Sequence, residues 1–152
     1  MNITLRPIKE RMEDNIEFIN NPSCDETLEV SVQFYAMVGY SFPWVGYYAF
    51  LDDIVVGSAG FKGRPMGGQV EIAYGTQPAY RKQGIGTEIC RLLVQLALQT
   101  DPTVIVTART LPQENYSTHI LLKNKFVLKG EVMDLDDGKV WEWRYEGRVK
   151  SE

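Results

Sequence analysis

Val70-Glu71-Ile72-Ala73-Tyr74-Gly75-Thr76-Gln77-Pro78-Ala79-Tyr80-Arg81-Lys82-Gln83-Gly84-Ile85-Gly86-Thr87 decides how this chain is read, because an alternating strand runs into a basic, glycine-bearing turn that opens a helix. Pro78 cannot donate to a sheet ladder and blocks extension of the strand. Beyond it, Gly84 and Gly86 flank one residue, which lets the backbone approach an anion closely. The first turn of the helix then offers N–H groups without intrahelical partners and the positive end of its dipole. Arg81 and Lys82 stand beside that turn. The pattern predicts a pyrophosphate site made by backbone donors first and by the two cations second.

Outward from this turn, residues 46–51 and 54–61 read as two strands joined at Asp52-Asp53. Residues 63–68 turn into the strand 69–76, so three strands make an antiparallel meander. Downstream, Ile85, Ile89, Leu92, Leu93 and Leu96 recur at helical spacing before Asp101-Pro102, a face that covers the sheet. Val104-Ile105-Val106-Thr107-Ala108 is the run expected of a strand buried on both faces and joined in parallel by a helical crossover. A helix over 115–123 and strands over 126–133 and 139–145, turning at Asp136-Asp137-Gly138, complete the chain. At its start, 3–8 reads as a strand and 10–19 as a short helix with Met12, Ile16 and Ile19 on one face; a helix over 26–37 follows, with Leu28, Val32, Tyr35 and Ala36 inward. The class is α/β (α+β), a mixed sheet with helices on its faces.

The 152 residues fit one domain able to bury a core without disulfides or a structural metal. With 44% hydrophobic and 24% charged residues the composition is that of a soluble protein, and no segment approaches the about 20 apolar residues of a membrane span. A net charge of -4 opposes general nucleic-acid binding and is compatible with an amine substrate. Cys24 and Cys90 stand alone, which argues against a disulfide framework or a metal site and suits a reducing compartment. The first eight residues carry no apolar leader, so a cytoplasmic location is the default.

Arg81-Lys82-Gln83-Gly84-Ile85-Gly86 resembles the acetyl-CoA motif of the GNAT acetyltransferase superfamily, Arg/Gln-x-x-Gly-x-Gly/Ala, and the element order agrees. Gly57-Ser58-Ala59-Gly60-Phe61-Lys62-Gly63, Val70-Glu71-Ile72-Ala73-Tyr74 and Leu121-Leu122-Lys123-Asn124-Lys125-Phe126 resemble its RimJ/RimL-like branch. The resemblance implies a mostly antiparallel sheet of about seven strands with about four helices and splayed fourth and fifth strands. Acetyl-CoA would lie in the splay as co-substrate, with pantetheine against backbone near Gly75 and Thr76, pyrophosphate on Gln83, Gly84, Gly86 and Thr87, and no metal. The acceptor would be a primary amine, of a small molecule or a protein N-terminus, attacking directly in a ternary complex.

An amine with a pKa of about 10.4 is mostly protonated at neutral pH, so a base must take its proton. Glu71 is the candidate, because strand alternation sets it on one face with Ala73 and Gly75, small residues that leave room for substrate. Partial desolvation on a central strand would suit it for the role, a structural salt bridge being the alternative. The splay frees a strand N–H near Gly75 or Thr76 for the oxyanion.

The resemblance to this branch implies an asparagine that contacts pantetheine followed, after two intervening residues, by a serine near the cofactor sulfur that helps the thiolate depart. Here only Tyr116 separates Asn115 from Ser117. Either Ser117 keeps its place and Glu114 takes the asparagine position, or Asn115 keeps its place and Thr118 replaces serine; Tyr116 is a third donor. The family's glycine after this helix is Lys125, with Asn124 the alternative left-handed residue. Tyr40, Phe42 and Trp44 are the aromatics expected to line the acceptor pocket, and His119 reads as a surface residue. A non-catalytic CoA-binding regulatory module is the rival reading. A dinucleotide oxidoreductase fails for want of the third glycine. A homodimer, with strand 141–145 internal or at its edge, is left open.

Overall fold

The computed structural model describes residues 1–148. Its element order is β1 (Ile3–Pro7), α1 (Asp25–Val38), β2 (Gly46–Leu51), β3 (Ile54–Phe61), β4 (Gln69–Thr76), α2 (Ile85–Thr100), β5 (Ile105–Thr110), α3 (Tyr116–Lys123), β6 (Phe126–Asp134) and β7 (Gly138–Tyr145). Seven strands form one sheet in the order β1-β2-β3-β4-β5-β7-β6. Every neighbouring pair is antiparallel except β4 and β5. That exception follows from α2, whose length carries the chain back to start β5 beside β4 in the same direction.

The strands alternate as their sequences require. Val70 and Ile72 of β4 are buried on the α2 face, where Ile85, Ile89, Leu93 and Ala97 meet them. The opposite face carries Gly46, Ser58, Gly60, Ala73 and Gly75, and α1 crosses it. Tyr35 of α1 anchors there, its hydroxyl donating to the Ile8 carbonyl at 2.9 Å and accepting from Gly46 N–H at 2.8 Å. Tyr48 joins α1 through Thr27 at 2.7 Å and packs edge-on against Phe18.

Several expectations require correction. Residues 10–19 form no α-helix, only a 3-10 turn at Met12–Asp14 followed by turns. The buried carboxamide of Asn15 bonds the N–H and carbonyl of Lys9 and the carbonyl of Arg11, which curls the chain and buries Phe18 while Ile16 is left 78% exposed. Among the described residues there are therefore three α-helices rather than about four. In α1, Ala36 is exposed and Leu28 and Tyr35 carry the burial. Lys125 takes the left-handed position after α3 (φ 66°), whereas Asn124 stays at φ -93° and its side chain donates to the Thr87 and Ile120 carbonyls at 3.1 and 3.0 Å. β7 lies between β5 and β6, so the Trp141-Tyr145 strand is no edge; Trp143 is buried with its indole N–H on Thr110 Oγ1 at 2.9 Å.

Candidate active site

The site begins where two parallel strands part. β4 and β5 pair only from Gln69 with Ile105 to Ile72 with Ala108; beyond that β4 stays with β3 to Thr76 while β5 turns to β7. Between the diverging strands the backbone of β4 is left open on one edge. Lys62 N–H donates to the Glu71 carbonyl at 2.9 Å, and Gln77 N–H to the Val56 carbonyl at 2.8 Å, so odd-numbered residues of β4 face β3. Even-numbered ones face β5, as the Gly68 carbonyl shows by accepting from Ile105 N–H at 2.9 Å. The groups exposed in the wedge are therefore those of Tyr74 and Thr76. Gly75 turns its carbonyl toward Gly57, which removes it as a wedge donor and corrects the expectation that named it.

A cavity of about 510 Å³ continues from the wedge, lined by Tyr74, Gly75, Thr76, Arg81, Lys82, Asn115, Tyr116, Ser117 and Ile120. Lys82 (φ 64°) and Gly84 (φ 80°) take left-handed conformations that bend the loop into the start of α2; Lys82 lines the cavity, whereas Gln83, Gly84, Gly86 and Thr87 lie outside its lining. Glu88 is the first residue whose N–H reaches a carbonyl of the turn, that of Gly84 at 3.1 Å, so Ile85, Gly86 and Thr87 hold backbone donors in reserve. Gln83 is exposed beside them and its amide rests on the Ala79 carbonyl at 3.4 Å. Thr76 Oγ1 is the one buried side-chain polar atom without a partner among the described residues, and Thr76 is part of the lining of this cavity. An orphaned hydroxyl beside spare N–H groups and two cations is a donor set fitted to a phosphorylated ligand carrying amide groups.

Gly86 serves packing as much as anion approach. A Cβ there would lie 2.6 Å from Ile120 Cδ1, 3.1 Å from Thr76 Oγ1 and 3.2 Å from the Tyr116 hydroxyl, so its absence lets α3 close on α2. Asn115 caps α3, its Oδ1 accepting from Thr118 N–H at 3.1 Å while its own N–H donates to Thr118 Oγ1 at 2.9 Å. Thr118 is 1% exposed and spent on this cap, which removes it as a thiolate acid. Tyr116 and Ser117 both line the cavity.

On the other side of β4 lies a second cavity, of about 390 Å³, beneath α1. Its floor is the small-residue face of β2, β3 and β4, and its roof is Thr27, Val30, Ser31 and Phe34, spaced to share one face of α1. The two cavities share Tyr74 and Gly75. Burial pushes the Tyr35 and Tyr48 hydroxyls up to about 12, so the phenols of this wall stay neutral.

Tyr40, Phe42 and Trp44 do not line that cavity. Tyr40 packs edge-on against Tyr35, Trp44 against Phe61, and Phe42, 64% exposed, sits in a groove with Leu92 and Leu96 on the opposite face of the sheet. After α1 the 40–44 loop carries Phe42 to the edge strand β1 and to α2, which aromatic content cannot signal. The residues missed were Thr27, Ser31, Ser58 and Lys62. Their signal was present in the i, i+4, i+7 spacing of Thr27, Ser31 and Phe34 and in the alternation of small residues on three consecutive strands.

Glu71 lies on the same face, four residues before Gly75, a reach of about 13 Å along the strand. Its carboxylate meets Lys62 Nζ at 2.7 Å and Arg109 Nε at 3.9 Å, with its side chain 20% exposed. It is thus an ion-paired carboxylate rather than a bare desolvated one. Arg109 also holds Asp134 at 2.9 Å and Glu142 at 3.7 Å, so a charged network stiffens this end of the sheet. His119 is exposed.

Residues 2–127 match the family described as an acetyltransferase (GNAT) domain. The fold is similar to the crystal structure of aminoglycoside acetyltransferase AAC(6')-Ib with coenzyme A, at 21% identity, 95% of each chain and a TM-score of 0.66. It is similar also to RimL, a ribosomal L7/L12 alpha-N-protein acetyltransferase in complex with coenzyme A, at 14% identity over 93% of this chain and 92% of that one (TM-score 0.67). A chimera of the Vibrio cholerae spermidine N-acetyltransferase SpeG with hSSAT aligns at 10% identity over 94% of each chain (TM-score 0.68). No curated protein matches the sequence.

Proposed function

The chain belongs to the GNAT acetyltransferase family, and from that premise we propose that it transfers an acetyl group from acetyl-CoA to a primary amine by direct attack in a ternary complex. One observation carries the reading: two cavities on opposite faces of β4 meet at Tyr74 and Gly75, where the parting strands expose backbone between them. A thioester lying in the wedge would present its carbonyl at that junction, and an amine in the second cavity would reach it.

Acetyl-CoA supplies an activated acyl carbon when bound, and the chain positions and protonates around it. The spare N–H groups of Ile85, Gly86 and Thr87 hold pyrophosphate, with Arg81 and Lys82 adding charge and Gln83 a side-chain contact, while Asn115 touches pantetheine. The N–H groups of Tyr74 and Thr76 face the wedge, where charge develops on the carbonyl oxygen. Glu71, too far along the strand to touch the amine, draws its proton through water. The amine nitrogen then forms the C–N bond as the C–S bond breaks, and Tyr116 or Ser117 returns a proton to the departing thiolate. Membership of the RimJ/RimL-like branch and a cytoplasmic setting, where acetyl-CoA and reduced thiols coexist, belong to the same reading. No helix among the described residues is long and apolar enough to cross a membrane.

The test is titration calorimetry with CoA followed by thiol release from acetyl-CoA over a panel of amines, with Glu71→Gln as control. Micromolar CoA binding with amine-dependent, Glu71-sensitive release is expected. Binding without release for any amine would favour a CoA-sensing module, and absence of binding would end the proposal.

A further inference from the structure

The proposed reaction leaves the acceptor undefined, and resting on that reading, we infer that the acceptor is a small primary monoamine on an apolar body, not a polycation. The cavity beneath α1 exposes mainly carbon, and the one charged residue in its lining is a cation, Lys62. Among the described residues no carboxylate lines it. Lys62 Nζ is already held by Glu71 at 2.7 Å, and the acids of α1, Asp25, Glu26 and Glu29, stand at exposed positions outside the lining. A ligand with several ammonium groups entering here would lose its hydration without gaining counter-charges and would approach a lysine.

The cavity has positive features for a smaller guest. Its volume of about 390 Å³ is created by Gly46, Ser58, Gly60, Ala73 and Gly75, whose side chains leave the floor low, and Phe34 and Val30 form an apolar roof. Ser31 and Ser58 line it with hydroxyls that make no hydrogen bond among the described residues. Ser58 lies directly across from Gly75 in the β3-β4 ladder, at the junction with the wedge. A neutral hydroxyl there can accept from one amine N–H and orient its lone pair without demanding a positive charge.

The same chemistry serves the reaction. A pocket without carboxylates disfavours ammonium relative to amine, so entry of the apolar body lowers the pKa of the nitrogen that must attack. Polycations gain nothing from this, since their remaining charges need solvent or acids. Selectivity thus arises from what the lining lacks as well as from what it touches.

The experiment uses the full chain with acetyl-CoA and measures thiol release with benzylamine, spermidine and ribostamycin, alongside calorimetric binding of each amine to the CoA-loaded protein. Benzylamine is expected to exceed both polycations in kcat/KM by about a hundredfold, the ratio that a few kcal/mol of unpaired charge produces. Val30→Glu, an exposed helical position that tolerates glutamate, is expected to lower the benzylamine rate about tenfold and raise that of spermidine. Preference for spermidine or ribostamycin in the unaltered chain would overturn the inference. If no amine turns over, calorimetry separates the two claims: binding of benzylamine but not spermidine upholds the pocket and defeats transfer, while the reverse pattern, or no binding of either, defeats the pocket.

Discussion

Gly57→Ala is the substitution that most directly probes the geometry at which the two cavities meet. A Cβ on Gly57 would sit 2.4 Å from the Gly75 carbonyl oxygen and 3.0 Å from Ile89 Cδ1, whereas ordinary contact begins at 3.4 Å. The obstacle at 2.4 Å is backbone and cannot rotate away, so β3 and β4 must part by roughly 1 Å at the junction, and overpacking of this kind costs about 1–3 kcal/mol. At this chain length each kcal/mol lowers the melting temperature by about 2–4 °C, so a mid-range loss of about 2 kcal/mol becomes about 4–8 °C. The same shift moves the wedge donors on Tyr74 and Thr76, and a misplacement of about 1 Å can cost a hundredfold in rate. Gly75→Ala is the companion: its Cβ would meet only Ser58 Oγ, at 3.9 Å, so the fold keeps its melting temperature while the methyl narrows the passage and slows transfer. Thermal denaturation and thiol release on both variants test this. A Gly57→Ala protein that melts and turns over like the parent would refute the placement of β4 against β3 and the catalytic geometry built on it.

Glu71→Gln is expected to reduce kcat by about a hundredfold or more with CoA affinity unchanged; a parent-like kcat would return Glu71 to a purely structural role beside Lys62. Of Tyr116→Phe and Ser117→Ala, one should lose about a hundredfold in kcat and the other little, and parent-like rates in both would remove this helix end from thiolate protonation. Thr118→Ala breaks the reciprocal cap with Asn115 in a buried position and is expected to destabilise by about 1–2 kcal/mol, read by urea denaturation. Asp134, held to about 2 by the N–H groups of Asp136 and Asp137 and by Arg109, lies below its ordinary value, so its contribution is complete above the unfolded carboxylate range and is lost as pH falls toward 2. Asp134→Asn should flatten the stability curve across that acidic window, as followed by denaturation between pH 5 and 2.

Local chemistry settled much of this protein before any tertiary contact was known. The strand from Gln69 to Thr76, the break at Pro78, the glycine-bearing turn before α2 and the helical face of Ile85, Ile89 and Leu93 are written in neighbouring residues, because turn geometry and side-chain periodicity act within one element. The order of strands and helices, and the spare donors at the start of α2, follow from the same short-range rules. Those rules misread residues 10–19, where Asn15 overrides a helical spacing, and misplaced the aromatics at 40–44, whose position depends on where a loop crosses the sheet edge. Tertiary structure alone decided which backbone groups of β4 face the wedge, that Lys62 and Arg109 converge on Glu71, that Thr118 is consumed by a cap, and that small residues from three strands combine under α1 into one cavity. Each of these is a relation between elements distant in the chain, set by the parity of ladder hydrogen bonds and by the packing of helices on opposite sheet faces, and no local pattern carries it.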